Sequence, residues 1–313
     1  MIVLGIDTSC YTTSVAAVGG EGVICSYRRL LPVQQGARGL RQSEAVFAHI
    51  KQLPELYEQA VESLGERRVD AVCVSVSPRD GEDSYMPVFL AGQSFARVAA
   101  ASLHAPLLTT THQRGHVRAA LQDSGLEARE YLAVHLSGGT TEVLHMRGDS
   151  LTLISGARDL HAGQLIDRVG VAMGLPFPAG PSLEKLALAG QARSLLPVSM
   201  EGMDCHFSGA EARALQWLRE GKMSREEIAA EVFSLTARTV LRLLTAAREQ
   251  TGAADALITG GVASSQLFRD LVREINGRRR LGLRLYFGQR QYAGDNAAGV
   301  ALIGYDRMRE GTA

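Results

Sequence analysis

The sequence predicts an α/β protein made of two copies of one unit. Three observations carry that prediction. Leu4-Gly-Ile-Asp-Thr-Ser-Cys-Tyr-Thr-Thr-Ser-Val15 recurs in register as Leu132-Ala-Val-His-Leu-Ser-Gly-Gly-Thr-Thr-Glu-Val143, an offset of 132 − 4 = 128 positions. Apolar strand signals and 3.6-period helical runs follow one another twice along the chain. At 313 residues the chain exceeds the usual size of one domain. Each copy reads as a strand, a tight turn of small and hydroxylic residues, and a second strand. Ser9 thereby pairs with Ser137, and Thr12 and Thr13 with Thr140 and Thr141. Such turns line up backbone N–H donors into anion-binding concavities, and two facing copies would suit a polyphosphate gripped from both sides of a cleft. The competing reading is two hairpins alike by chance.

In chain order, Ile2 to Ile6, Ser14 to Val18 and Val23 to Tyr27 read as a meander of strands. Helical periodicity runs from Ser43 to Leu64 with a break expected at Pro54. Asp70 to Ser77 reads as a buried strand, Ser84 to Leu103 as a helix, Pro106 to Thr109 as a short strand, and Thr111 to Gln122 as a helix capped by Thr110 or Thr111. A second meander occupies Tyr131 to Ser155. Helices follow at Leu160 to Met173, Ser182 to Ala189, Gly209 to Arg219 and Ser224 to Gln250. A strand at Ala256 to Ile258, a helix at Ser264 to Ile275, a strand at Leu283 to Phe287 and a helix from Asp295 complete the chain. The expected lobes are 1–128 and 129–313, with the final helix free to return to the first.

Lys plus Arg and Asp plus Glu number 33 each, so no global field favours nucleic acid and any basic surface must be local. The local candidate is Arg278-Arg-Arg280 with Arg284 and Arg290, a pattern that a solvated helix end also gives. Four scattered cysteines, Cys10, Cys25, Cys73 and Cys205, lack any C-x-x-C spacing and point to a reducing compartment. No apolar run of membrane-spanning length and no leader pattern is present, so a cytoplasmic protein without membrane partners is expected.

Several constellations carry chemistry. His112-Gln-Arg-Gly-His116 sets two imidazoles at i and i+4, on one helix face and within reach of one metal ion. The motif is not H-E-x-x-H, because no carboxylate base lies between the histidines. A third ligand has to come from elsewhere. Packed or surface histidines give the same spacing. Gly260-Gly-Val-Ala-Ser-Ser265 follows an apolar strand and opens a helix, suiting a nucleoside or phosphate, or serving as a plain tight turn. Asp295, in Gly294-Asp-Asn-Ala-Ala298, reads equally as an N-cap. Asp167 sits mid-helix, where an acid ordinarily faces solvent, and Pro176-Phe-Pro-Ala-Gly-Pro181 is a rigid turn whose Gly180 permits close approach of a ligand.

Taken together and in order, these segments resemble the TsaD or glycoprotease family of tRNA threonylcarbamoyladenosine synthases over nearly the whole chain. The family's G-I-E-T-S-C is answered by Gly5 to Cys10, its H-x-x-G-H by His112 to His116, and its S-G-G-H-T by Ser137 to Thr141. Its F-D-K-V-A-x-x-L-G-L-P-x-P-G-G-P is answered by Ile166 to Pro181, its F-S-F-S-G by Cys205 to Gly209, its G-G-V-A-A-N by Gly260 to Ser265, and its T-D-N-A-A by Gly294 to Ala298. The resemblance implies a duplicated actin-like ATPase fold of the hexokinase and Hsp70 type, with two lobes around a cleft. It implies His112, His116 and Asp295 as ligands of one Fe or Zn ion. Ser137, Gly138 and Gly139 would hold phosphate, with Asp167, Gly180, Gly260, Gly261 and Ser265 around an adenine nucleotide: ATP, AMP or a carbamoyl-adenylate. The implied reaction moves threonylcarbamoyl from its adenylate to N6 of adenosine 37 in tRNAs that read codons beginning with A.

Departures from the family pattern bear on that reading. Tyr11-Thr12 replaces an acidic pair, and general acid–base help is worth about 10²–10⁴ in rate. Candidate catalytic groups are then Asp7, Tyr11 and Thr12. Arg114 replaces a Glu, Thr140 a His, Ser265 an Asn, and Ser77-Pro-Arg-Asp80 a G-P-G. This pattern resembles a divergent paralogue. The alternatives are a carbamoyltransferase acting on a small molecule and a nucleotide-binding, non-catalytic partner subunit. Implied partners are the adenine nucleotide, tRNA, and a paralogous actin-like subunit or a second copy of the chain.

Overall fold

The computed structural model describes residues 1–32, 40–81 and 83–311. The chain forms two compact units: Met1–Gln122 with Gly294–Ala313, and Asp123–Ala293.

The first unit contains β1 (Val3–Ser9), β2 (Thr12–Gly19), β3 (Gly22–Leu30), α1 (Gln42–Leu64), β4 (Ala71–Ser75), α2 (Val88–Ser102), β5 (Leu107–Thr110) and α3 (His112–Leu121). The second holds β6 (Glu130–Leu136), β7 (Thr141–Arg147), β8 (Ser150–Gly156), α4 (Ala162–Ala172), α5 (Gly180–Ala187), β9 (Ser199–Glu201) and β10 (Asp204–His206). It continues through α6 (Ser208–Glu220), α7 (Arg225–Thr251), β11 (Asp255–Thr259), α8 (Gln266–Arg279) and β12 (Arg284–Phe287), after which α9 (Ala298–Glu310) belongs to the first unit.

The two sheets have one topology. The first runs β3-β2-β1-β4-β5 and the second β8-β7-β6-β11-β12. In both, the three meander strands pair antiparallel and the outer two join in parallel. The 128-residue offset carries β1, β2 and β3 onto β6, β7 and β8 within a residue or two, so the repeat is one of structure as well as sequence.

Every residue of β1 and β2 is buried, because helices cover both faces of the sheet. Leu4, Ile6, Val15 and Ala17 pack with Leu53, Leu56 and Ala60 of α1. Val3 and Cys73 pack with Val300 of α9. In the second unit Leu132, Val134 and Val143 join Leu165, Phe207, Phe233 and Phe268. Each such side chain contributes about 1.5–3 kcal/mol on burial.

Three local features depart from the periodicity reading. The α1 helix runs unbroken through Pro54. Pro54 is exposed, while Gln52, Leu53 and Leu56 on the opposite face are buried, and that packing offsets the ~3 kcal/mol cost of an interior proline. The α2 helix begins at Val88 instead of Ser84, since Pro87 disfavours helical backbone in the residue before it. The β9–β10 hairpin has three-residue strands, too short for any period to register.

Asp159 ties the segment before α4 to the start of α6. Its carboxylate accepts the N–H groups of Leu160, Phe207 and Ser208 at 2.6, 2.9 and 3.1 Å, together with the Ser208 hydroxyl. Burial would raise its pKa, but these donors outweigh burial and hold it at about 2. A depressed carboxyl adds stability above its unfolded pKa of 3.8 and loses it as pH falls through about 2. Asp159→Asn is therefore expected to lose about 1 kcal/mol at neutral pH, after allowing for solvent screening, and to narrow its deficit to wild type between about pH 4 and pH 2. Denaturant melts at several pH values check this. A deficit that does not change over that window would show the carboxylate charge to be unimportant.

Candidate functional site

In the first unit, two imidazoles and a carboxylate converge. Thr111 caps α3 by accepting the Arg114 N–H at 3.4 Å, which starts the helix at His112 and sets His116 one turn further on. Asp295 comes from the segment before α9. It does not cap that helix: Asn296 Oδ1 takes the Ala298 N–H at 3.1 Å, so the simple N-cap reading of Asp295 fails. Asp295 Oδ2 instead accepts the hydroxyls of Ser9 and Thr12 at 3.0 and 3.2 Å.

The donor atoms crowd one point. His112 Nε2 and His116 Nε2 are 3.0 Å apart, and Asp295 Oδ1 lies 3.2 Å from His116 Nε2 and 3.6 Å from His112 Nε2. Ligands bonded at about 2.1 Å to one ion would be ~3.0 Å apart at right angles and ~3.4 Å apart at the tetrahedral angle. The observed edges bracket those values. The donor set, two imidazoles and one carboxylate, suits Fe or Zn.

Behind this triad, Asp7 is fully buried. It accepts the Ser75 hydroxyl and faces His112 Nδ1 at 3.0 and 3.1 Å. With the proton on Nδ1, the Nε2 lone pair is left aimed at the triad, the arrangement that orients metal-bound histidines. Burial disfavours charge on His112, but Asp7 and Asp295 override it and hold the imidazole well above its usual pKa. Burial likewise opposes the Asp295 charge, and the two histidines hold its carboxyl well below the usual range. A divalent cation would take over the role of those shared protons.

Close backbone packing assembles the triad. A Cβ on Gly299 would lie 1.8 Å from the Gly115 carbonyl oxygen, and one on Gly5 would lie 2.5 Å from the Ala297 oxygen. Only glycine allows α9 to approach α3 and β1 this closely. Gly299 and Gly5 went unnoticed as site-forming residues in the sequence, where a glycine shows but what faces it does not.

The two copies of the hairpin turn have different uses. In the first, Ser9 and Thr12 are buried and their hydroxyls, expected beside a phosphate, instead hold Asp295. Tyr11, beside them, is 46% exposed. In the second, Gly138 and Gly139 are exposed, and the turn is closed by the Ser137 N–H donating to the Thr140 carbonyl at 2.8 Å.

The second turn borders a cavity of about 500 Å³ within the second unit, a size typical of ligand sites. Ser137, Gly138, Asp167, Gly180, Gly261 and Ser265 line it. Gly139 and Gly260 are not among its lining residues. Gly260 has φ +100°, and a Cβ there would meet the Leu136 oxygen at 2.2 Å, so packing of β11 on β6 accounts for it. A 3-10 turn, Val262–Ser264, separates these glycines from α8, so they do not open that helix as expected. Ser265 caps α8 by accepting the Phe268 N–H at 3.1 Å. Asp167 is half-buried instead of facing solvent, and its Oδ1 accepts the Ala179 N–H at 2.7 Å, fixing the Gly180 turn to α4. Burial raises its carboxyl, against the N–H groups of Ala179 and Gly180. Gly163, Glu184 and Phe233 also line the cavity and were missed from the sequence. A Cβ on Gly163 would lie 2.6 Å from the Gly138 nitrogen, so this glycine lets α4 lie against the turn.

No described helix is long and apolar enough to cross a membrane.

The TsaD family model, tRNA N6-adenosine threonylcarbamoyltransferase, matches residues 33–302. A protein of that name from Archaeoglobus fulgidus is 30% identical over 315 aligned positions, covering 99% of this chain and 93% of the relative. A second, from Thermus thermophilus, is 31% identical with 99% and 94% coverage. A probable bifunctional tRNA threonylcarbamoyladenosine biosynthesis protein from Thermoplasma volcanium is 28% identical over 99% of this chain, which spans 57% of that longer relative. Among solved structures, T. kodakarensis HypF superposes with a TM-score of 0.66 at 14% identity, covering 99% of this chain and 48% of HypF. A ROK hexokinase from Thermus thermophilus gives a TM-score of 0.56 at 14% identity, with 99% and 100% coverage. These likenesses place the fold among actin-like ATPases. With the family model across most of its length, the chain belongs to the TsaD family of tRNA N6-adenosine threonylcarbamoyltransferases, enzymes that transfer an acyl or carbamoyl group.

Proposed function

We propose that this protein transfers a threonylcarbamoyl group from its adenylate to N6 of adenosine 37 in tRNA, in the cytoplasm, using one Fe or Zn ion. His112, His116 and Asp295 would hold the ion, and the adenine nucleotide would occupy the cavity beside Ser137, Gly138 and Asp167. The observation that carries the reading is the meeting of three ligand atoms within 4.8 Å of one another in the first unit. Family membership supports the reaction class. Assembly with a paralogous actin-like subunit or a second copy belongs to the same reading.

In this reaction the exocyclic amine attacks the carbamoyl carbon, the bond from that carbon to the phosphate oxygen breaks, AMP leaves with the electron pair, and the amine proton passes to a base. Bound at the triad, the ion would supply Lewis-acid polarisation of the carbamoyl oxygen. Asp7, fully buried between Ser75 and His112, is a positioning residue and has no route to substrate. Thr12 directs its hydroxyl to Asp295. Tyr11 is thus the one of the three candidate groups that reaches solvent.

One observation favours a second reading, carbamoyl transfer to a small acceptor. Arg114, where the family has Glu, forks onto Asp80 at 2.6 to 3.0 Å, and Asp80 lies in the segment that replaces the family's G-P-G. Two departures thus compensate each other beside His112, as expected if acceptor contacts had changed together. Expression in a TsaD-depleted bacterium, read by mass spectrometry of tRNA adenosine 37, tests the first reading. Restored modification is expected. Absence of modification, with purified protein and threonylcarbamoyl-AMP also failing on tRNA alone and with the host's partner proteins, would leave the small-acceptor reading.

A further inference from the structure

Three arginines surround one groove of the second unit that neither the metal triad nor the nucleotide cavity uses. Arg238 and Arg242 lie four residues apart on α7, so ~6 Å apart along its axis. Arg279 joins them from the last turn of α8. With Val198 and Met200 they line a hollow of about 430 Å³.

Like charges this close repel, yet among the described residues none of the three forms an ion pair. Burial lowers the Arg238 pKa, Glu231 opposes that, and Arg279 adds to it, as expected of neighbouring cations. The Glu231 carboxylate is already engaged by the N–H groups of Arg193, Leu195 and Leu196. Arg238 is held in place through Nη2 to the Leu196 carbonyl at 2.7 Å and Nε to Ser234 Oγ at 3.4 Å. Arg242 and Arg279 are exposed. The basic run seen in the sequence therefore divides by role. Arg284 is tied to Asp255 by two bonds of 2.6 Å, whereas Arg279 faces the groove.

We propose that this groove binds the phosphodiester backbone of an RNA acceptor. The inference rests on the tRNA reading above. Guanidinium forks match phosphate oxygens in pairs, and on a chain with no net charge a local cluster must supply the attraction. Contacts to backbone phosphate position an RNA without reading its sequence, which suits an enzyme that serves several tRNAs.

The test uses the full-length protein and an unmodified tRNA transcript, with fluorescence anisotropy over a range of salt concentrations. The Arg242→Gln, Arg279→Gln double variant is expected to bind at least ~10-fold more weakly and to lower the slope of log affinity against log salt by about 2, near 1 per lost phosphate contact. The corresponding double Lys variant keeps the slope, and both variants retain wild-type AMP binding by calorimetry. A double Gln variant with the wild-type slope overturns the groove while leaving the tRNA reading intact. A wild-type protein that binds no tRNA overturns both.

Discussion

Purified wild-type protein is expected to carry about one equivalent of Fe or Zn, and the His112→Ala, His116→Ala double variant none. Loss of even an outer partner of a metal ligand costs 10–100-fold in affinity, so removing two of three donors exceeds ~100-fold. The single variants differ in a way that checks the geometry. His112→Ala also strips the buried Asp7 carboxylate of its imidazole, a change of the kind that costs about 3–5 kcal/mol, so its metal loss is accompanied by a lower Tm. The contact to the buried Asp7 carboxylate is made by His112, while His116 Nε2 faces His112 at 3.0 Å and Asp295 at 3.2 Å. His116→Ala should therefore lose metal with a smaller change in Tm. Elemental analysis and thermal melts on the same samples decide the matter. Equal metal content in wild type and double variant would remove the ligand assignment and, with it, the main support for the transferase mechanism.

What could be read from the sequence followed range. The i, i+4 histidine pair, the Thr111 cap and the twofold meander are local patterns, and the structure contains each of them. Asp295 was ambiguous because capping and metal ligation both ask for a carboxylate before a helix. Capping is ruled out by contacts from far away: Ser9 and Thr12, more than 280 positions earlier, hold the carboxylate with their hydroxyls beside the histidines. For the same reason the two hairpin turns looked equivalent. Their hydroxyl pattern is shared, but Cys10-Tyr11 stands where the second copy has Gly138-Gly139, and the hydroxyls of the first turn bond Asp295 from the far end of the chain. Asp167 was placed on a helix, where an acid ordinarily faces solvent, and its half-burial was not legible because the Ala179 N–H that fixes it comes from the next turn of chain. Pro54 misled because its local rule was overridden by packing on the opposite face of α1.

The role of Gly299 gives the second large effect, and it reaches the proposed metal triad without altering His112, His116 or Asp295. In Gly299→Ala the new methyl would sit 1.8 Å from the Gly115 oxygen, 2.7 Å from the Gly115 carbon and 2.9 Å from the Ala119 nitrogen. All three atoms are backbone, so no side-chain rotation relieves the overlap, and α9 must move away from α3. Overpacking of this kind costs 1–3 kcal/mol or more. His112 and His116 ride on α3, while Asp295 is joined to the start of α9 through two intervening residues, Asn296 and Ala297. Separation of these helices therefore stretches donor distances directly, and metal sites tolerate only about 0.2 Å. The expected result is a Tm lowered by roughly 5–10 °C and metal affinity weakened at least ~10-fold. Gly277→Ala, in α8 with nothing within 4 Å of its added methyl, is the matched control and should be neutral or slightly stabilising. If Gly299→Ala instead keeps wild-type Tm and metal content, the close contact of α3 with α9 is not what brings the imidazoles to the carboxylate.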